Sequence, residues 1–382
     1  MKNRRSFLKQ SALATTGLMA GSPFIHQLSG SSSYRSSRKK PETIKAFCID
    51  FNWGPGGRHG FAKPGLWAEA DPEQHVQWYH DLGCNTIQTF AVSCNGYSWY
   101  KNGVVPEQPG LKHDFLTEMV RRGHQKNMNV FGYFCAGANN KWEDDHPELT
   151  YQMSGQQIPY TRKYLDYLCA SIGDAILKTG MDGFMLDWLY NPGGGRVPLP
   201  PLKWLPCEQE MYRELMDHSF PGKENMTPER ELQFRRKAIN RAWENIRETA
   251  KRANPNCLIW LTAYEVNSPE YAGSPLLKET DWLMNEAGDI ARTEAARKIA
   301  GNQTRLITCL AQWNKQDPVK VVNHAQKQNI GLYGFTRPVK GAMMPPVDYY
   351  RSNPVTSFEG DAQNIAVLTR AYNSVPVDYV KK

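Results

Sequence analysis

From Thr43 onward, short apolar runs alternate with longer amphipathic stretches, and the two periods predict alternating strands and helices. The short runs occupy residues 44–51, 86–92, 129–135, 183–187, 257–263, 282–285, 305–310 and 331–335. Runs of this kind, apolar without a break, read as parallel strands covered on both faces. Between them, helices are predicted over residues 111–126, 160–179 and 228–253. An earlier one opens at Asp71-Pro72, an N-cap and first-turn pair, and runs to Leu82-Gly83. Shorter helices follow, the seventh beginning at Pro318, and residues 360–372 supply an eighth. Eight strands alternating with eight helices predict a single-domain (β/α)8 TIM barrel over residues 43–382. A doubly wound open sheet is the alternative, but no glycine fingerprint follows the first strand.

The loops are unequal. Those entering the strands are short, such as Gly180-Met181-Asp182, whereas those leaving the first four strands are long. The last of these spans residues 188–227 and is rich in Gly and Pro, as expected of a lid or binding wall. The C-terminal rim is therefore the elaborated one, where barrel enzymes collect their chemistry. The fourth strand ends there on a carboxylate, Asp187, in Gly180-Met181-Asp182-Gly183-Phe184-Met185-Leu186-Asp187-Trp188. Asp182 lies at the opposite end and reads as a turn residue.

Reading the last residues of each strand collects further candidates. Glu265 follows the fifth strand and Glu286 the sixth, and either can pair with Asp187 as a second catalytic carboxylate. Candidate substrate-binding residues are Asp50, Trp53, Asn95, Tyr97, Asn140, Trp142, Trp188, Asn285, Trp313 and Arg337. Flat apolar rings suit the C–H faces of sugars, and Asn, Asp and Arg suit their hydroxyls. The nine histidines form no H-x-H or H-E-x-x-H spacing, so neither a metal nor a cofactor is expected. No G-x-S-x-G occurs to mark a nucleophilic serine.

Composition changes the picture at the amino terminus alone. The net charge of +8 equals the eight basic residues Lys2, Arg4, Arg5, Lys9, Arg35, Arg38, Lys39 and Lys40, and residues 1–40 contain no acid. The remainder is formally neutral, so the basic balance argues for no nucleic acid partner. Asn3-Arg4-Arg5-Ser6-Phe7-Leu8-Lys9, followed by a weakly apolar stretch at 11–21, resembles a twin-arginine export signal. On that resemblance residues 1–28 are a signal peptide read by the twin-arginine translocase, 29–42 a flexible tether, and the mature chain is periplasmic or secreted. The stretch is too short and too rich in Ala, Thr and Gly for a membrane span, so no stable membrane anchor is expected. The resemblance implies crossing in the folded state, and the eight scattered cysteines, without C-x-x-C, do not read as a disulfide framework.

Residues 180–187 resemble the fourth strand of retaining α-glycosidase barrels, in which the closing Asp is the nucleophile. Asp71-Pro72 with Trp78, Leu82-Gly83-Cys84-Asn85 and Asn95-Gly96-Tyr97 are similar to the front of α-L-fucosidase-type barrels. The α-amylase-like barrels place their acid after the fifth strand, which implies Glu265, and related barrels place it after the sixth, which implies Glu286. Two departures stand out. Ser93-Cys94-Asn95 replaces the His-His-Asp of the fucosidases, and Met185 replaces the Arg of the amylases. The reading is an exported glycoside hydrolase acting on an oligo- or polysaccharide. A non-catalytic carbohydrate-binding barrel is the alternative, and a barrel lyase or isomerase is a third.

Overall fold

The computed structural model describes residues 43–152, 158–190, 202–263, 266–286, 290–309 and 318–336. Strands β1 (Lys45–Ile49), β2 (Thr86–Phe90), β3 (Asn129–Cys135), β4 (Gly183–Asp187), β5 (Leu258–Ala263), β6 (Trp282–Asn285), β7 (Arg305–Cys309) and β8 (Gly331–Thr336) run parallel. They close in chain order, with β8 pairing back onto β1 from Lys45↔Leu332 to Ile49↔Thr336. This is the expected TIM barrel. The run at 44–51 leaves the ladder after Ile49, and Phe51 instead packs its ring 4.5 Å from Trp99 beneath the rim.

The helices are α1 (Pro72–Leu82), α2 (Phe115–Gln125), α3 (Asn140–Asp145), α4 (Arg162–Thr179), α5 (Pro206–Met216), α6 (Pro228–Ala253), α7 (Leu276–Glu279), α8 (Ile290–Ala296) and α9 (Pro318–Lys327). Their boundaries follow local chemistry. Asp71 accepts the Glu73 amide to start α1, Thr161 accepts that of Tyr164 to start α4, and Thr227 precedes Pro228 at α6. Gly83 and Gly180 end α1 and α4 at φ 91° and 69°, which a side chain would strain.

Contacts between strands that are not neighbours identify the faces turned inward. Phe131 of β3 stacks on Trp282 of β6 at 4.5 Å, and Trp260 of β5 meets Tyr333 of β8 at 5.2 Å. The Tyr333 hydroxyl donates to Gln88 Oε1 of β2 at 2.8 Å. These rings fill the barrel, as side chains fill others of this size. Gly183 makes room for them, since a methyl group there would lie 2.5 Å from the Phe131 ring and 2.3 Å from the Leu258 carbonyl oxygen. The alternate residues face the helices, as Phe47 does toward Trp78 of α1.

Two expectations are corrected. The stretch 188–227 is not one irregular loop, because Pro206–Met216 form α5 within it. Leu205-Pro206-Cys207-Glu208 starts that helix, with the Glu208 side chain accepting the Leu205 amide, while Met211, Tyr212 and Met216 are buried along one side. The loop after β3 likewise contains α3, whose N-cap Asn139 accepts the Trp142 amide at 2.8 Å. All eight cysteines are free thiols. Among the described residues no helix is long and apolar enough to cross a membrane. Glu265, Trp313, Arg337, the leader, the tether and the helix expected at 360–372 lie outside the described residues.

Candidate active site

Strand alternation carries Asp187 into the barrel mouth. Phe131 points inward, so Tyr133 and Cys135 do too, and register places Asp187 beside Cys135. The Tyr133 hydroxyl donates to Asp187 Oδ2 at 2.8 Å, and the Trp188 amide donates to Oδ1 at 3.0 Å. The carboxylate is half-buried at the rim end of β4. Burial, followed by the Asp187 charge, pushes the Tyr133 phenol well above its ordinary range, so it stays a donor. Cys94 Sγ lies 3.7 Å from the same hydroxyl, and burial raises this thiol well above its usual value.

Trp188 reaches the Asp187 side chain by taking a φ of 53°, an uncommon conformation for a bulky residue. Two buried tyrosines hold the turn that follows. The Tyr160 hydroxyl shares its one hydrogen between the carbonyls of Trp188 and Tyr190, at 2.9 and 3.1 Å, and Tyr271 donates to that of Leu189. Strain of this kind, supported from outside, is a recognised feature of functional sites. The Trp188 ring is buried, 6.1 Å from Phe61, and its indole N–H has no partner among the described residues.

The remaining candidates occupy distinct places. Asp50 stands just beyond β1, half-buried, and accepts the Asn52 amide at 2.8 Å. Trp53 is half-buried beside Phe61, and Tyr97 is half-buried in the loop after β2. Asn95 is buried and exchanges amide hydrogen bonds with Gln108 while accepting the Tyr97 amide, so its side chain braces the loop. Asn140 is buried at the start of α3. Its Nδ2 donates to the Arg58 carbonyl, and its Oδ1 has no partner among the described residues. The Trp142 ring is occupied by packing, 3.8 Å from His146 and 4.9 Å from Tyr167. Asn285 is buried at the end of β6, and Glu286 follows it half-buried, its amide donating to the Ala263 carbonyl. Alternation gives Glu286 the same facing as Trp282, toward the barrel axis.

One cluster escaped the sequence reading. Glu143 of α3 is buried and takes His59 Nε2 at 3.0 Å and Arg58 Nη2 at 3.2 Å, while Arg58 also pairs with Asp144. Burial raises the Glu143 carboxyl, and His59 and Arg58 oppose that rise. The cluster pins the loop after β1 to the loop after β3. Its members are 84 residues apart, and no local spacing reveals the pairing. Asp182, at the far end of β4, accepts the Val130 amide and His124 Nε2, consistent with a structural place.

Residues 71–188 match a family model described as Hypothetical glycosyl hydrolase 6. The match covers less than a third of the chain, beginning at the N-cap of α1 and ending one residue past Asp187. No curated protein matches the sequence. Among solved structures, the chain is similar to α-L-fucosidase isoenzyme 2 from Paenibacillus thiaminolyticus, at 13% identity and a TM-score of 0.59, over 87% of this chain and 49% of that one. It therefore spans about half the length of that fucosidase. It is also similar to the PgaB (BpsB) glycoside hydrolase domain from Bordetella bronchiseptica, at 10% identity and a TM-score of 0.51, over 77% of this chain and 93% of that one. At these identities the likeness is one of fold.

Proposed function

We propose that this protein is a glycoside hydrolase and that Asp187 is its ionised catalytic carboxylate. The observation that carries the reading is the place of Asp187: an inward-facing acid at the rim end of β4, held by Tyr133 and the Trp188 amide. The family match that closes on this strand supports the same reaction class. Glycoside hydrolysis needs one ionised carboxylate and one protonated carboxyl. Asp187 takes the first role, and Glu286 or Glu265 the second. In the retaining course implied by the resemblance, an Asp187 oxygen bonds to the anomeric carbon as the glycosidic C–O bond breaks. The acid gives its proton to the leaving oxygen, and water, deprotonated by the same group, then releases the sugar. Asp50, Trp53, Tyr97, Asn140, Trp188, Asn285, Trp313 and Arg337 are assigned to the substrate. Asn95 and Trp142 support the loops that present them.

A panel of aryl glycosides and polysaccharides, offered to the wild-type protein and to Asp187→Asn, tests the reading. Turnover of at least one substrate is expected, with the variant reduced by about three orders of magnitude or more. Binding without turnover by the wild type would favour a carbohydrate-binding barrel instead. We also infer that the twin-arginine leader directs export of the folded chain. Replacing Arg4 and Arg5 together by Lys is expected to leave full-length protein in the cytoplasm, and normal export of that variant removes the assignment.

A further inference from the structure

We propose that Tyr133 is a positioning residue for Asp187, holding its carboxylate in one orientation at the end of a hydrogen-bond chain that starts at the Cys94 thiol. The proposal rests on the glycoside hydrolase reading and deepens it. A phenol has one hydrogen, and that of Tyr133 is given to Asp187 Oδ2 at 2.8 Å. With that hydrogen committed, the 3.7 Å contact with Cys94 Sγ leaves the phenol oxygen as an acceptor for the Cys94 S–H, for which the neighbouring Cys135 sulfur competes. Donors arranged in series polarise one another, which strengthens the bond that ends on the carboxylate.

The second donor, the Trp188 amide, takes the other carboxylate oxygen at 3.0 Å. Two donors, one from β3 and one from the residue that follows β4, one on each oxygen, fix rotation about the last side-chain bond of Asp187. Each donor is anchored separately. The Tyr133 ring packs 5.0 Å from Phe90 inside the barrel, and the Cys94 amide donates to Asn52 Oδ1 at 2.8 Å. The Trp188 carbonyl accepts the Tyr160 hydroxyl at 2.9 Å. Among the described residues, the titratable groups around the pair include Cys94, Cys135 and Tyr271, with Asp50 and Glu286 just beyond β1 and β6. Burial keeps Cys94 and Tyr271 neutral, and the Tyr271 hydroxyl is given to Leu189.

A merely structural tyrosine would change melting temperature and leave the pH profile alone. The test compares wild type with Tyr133→Phe on an activated aryl glycoside across pH, and follows the Asp187 carboxyl carbon by NMR titration in the unliganded full chain. The acid limb and the Asp187 titration are both expected to move up by about one pH unit. Turnover should fall about 10- to 100-fold with KM within about threefold. Cys94→Ala should move both in the same direction by less. Installing 3-fluorotyrosine at position 133, nearly isosteric and a stronger donor, should move them the other way. That variant keeps the question answerable if the phenylalanine protein does not fold. An active wild type whose Tyr133→Phe and fluorotyrosine forms keep its acid limb and turnover overturns the proposal. If the wild type cleaves no glycoside, the hydrolase reading fails. The NMR titration then still decides whether Tyr133 holds Asp187, and an unshifted carboxyl rejects it.

Discussion

The Asn52 side-chain oxygen accepts the backbone N–H of Cys94 at 2.8 Å, joining the loop after β1 to the loop after β2 across 42 residues of chain. The Asn52 amide in turn donates to Asp50, and the Cys94 thiol touches the Tyr133 hydroxyl that serves Asp187. Two rim carboxylates, one just beyond β1 and one at the end of β4, therefore belong to one network although neither contacts the other in it. Its middle members, Asn52, Cys94 and Tyr133, are buried with partners on each side, the condition under which polar groups rigidify a site.

The acid that completes the proposed pair is distinguishable by leaving group. Glu286→Ala and Glu265→Ala are to be compared on an activated aryl glycoside and on an unactivated disaccharide. Removing the true acid should cost about 10²- to 10⁴-fold on the unactivated substrate and far less on the activated one, which needs little protonation. Azide should restore rate to that variant if a glycosyl-enzyme forms. Equal losses on both substrates, for both variants, would exclude each residue from the role.

Glu208 fastens α5 to the chain that follows α3. It is fully buried, accepting the Tyr151 hydroxyl at 2.6 Å and the Leu205 amide at 2.7 Å. Burial raises its carboxyl, and both donors oppose that rise. Glu208→Ala should destabilise the fold by about 2–3 kcal/mol, because two buried donors lose a charged acceptor. Limited proteolysis should then cut first within residues 202–216, and an unchanged cleavage map would show that α5 is held by other contacts.

His75 is expected to make the fold acid-sensitive. Its ring is buried between Phe51 and Phe115, at 5.5 and 5.2 Å, and its Nε2 has no partner among the described residues. Burial lowers its pKa from 6.5 to about 3, against a weaker opposite pull from Asp71. The neutral ring is the folded form, whereas an unfolded chain takes up a proton near pH 6.5. Stability is therefore complete above that pH and is lost at about 1.4 kcal/mol per pH unit as pH falls toward 3. His75→Phe should flatten the melting-temperature profile between pH 6.5 and 4. Parallel profiles for the two proteins would place the acid sensitivity elsewhere.

The order of the elements was legible without coordinates, because an unbroken apolar run and an amphipathic run differ in period and each is local. Asp71-Pro72 and Gly83 bracket α1 as read, and the run ending in Asp187 is β4 residue for residue. The place of Asp187 at the rim was legible for the same reason, since strand direction and connection order fix which end of a strand faces the long loops. The helices inside those loops were partly hidden by Gly and Pro, although Leu205-Pro206-Cys207-Glu208 carries a start signal for α5. What tertiary structure alone decided was partnership. Trp142 and Trp188 are both rim tryptophans in sequence, yet one packs on His146 while the other turns at positive φ to bring its amide to Asp187. Glu143 with His59, and Tyr133 with Asp187, pair across 84 and 54 residues. Barrel closure sets those distances, and no spacing along the chain encodes them, because a hydrogen bond depends on where two atoms meet and a sequence pattern records only how often a residue type returns.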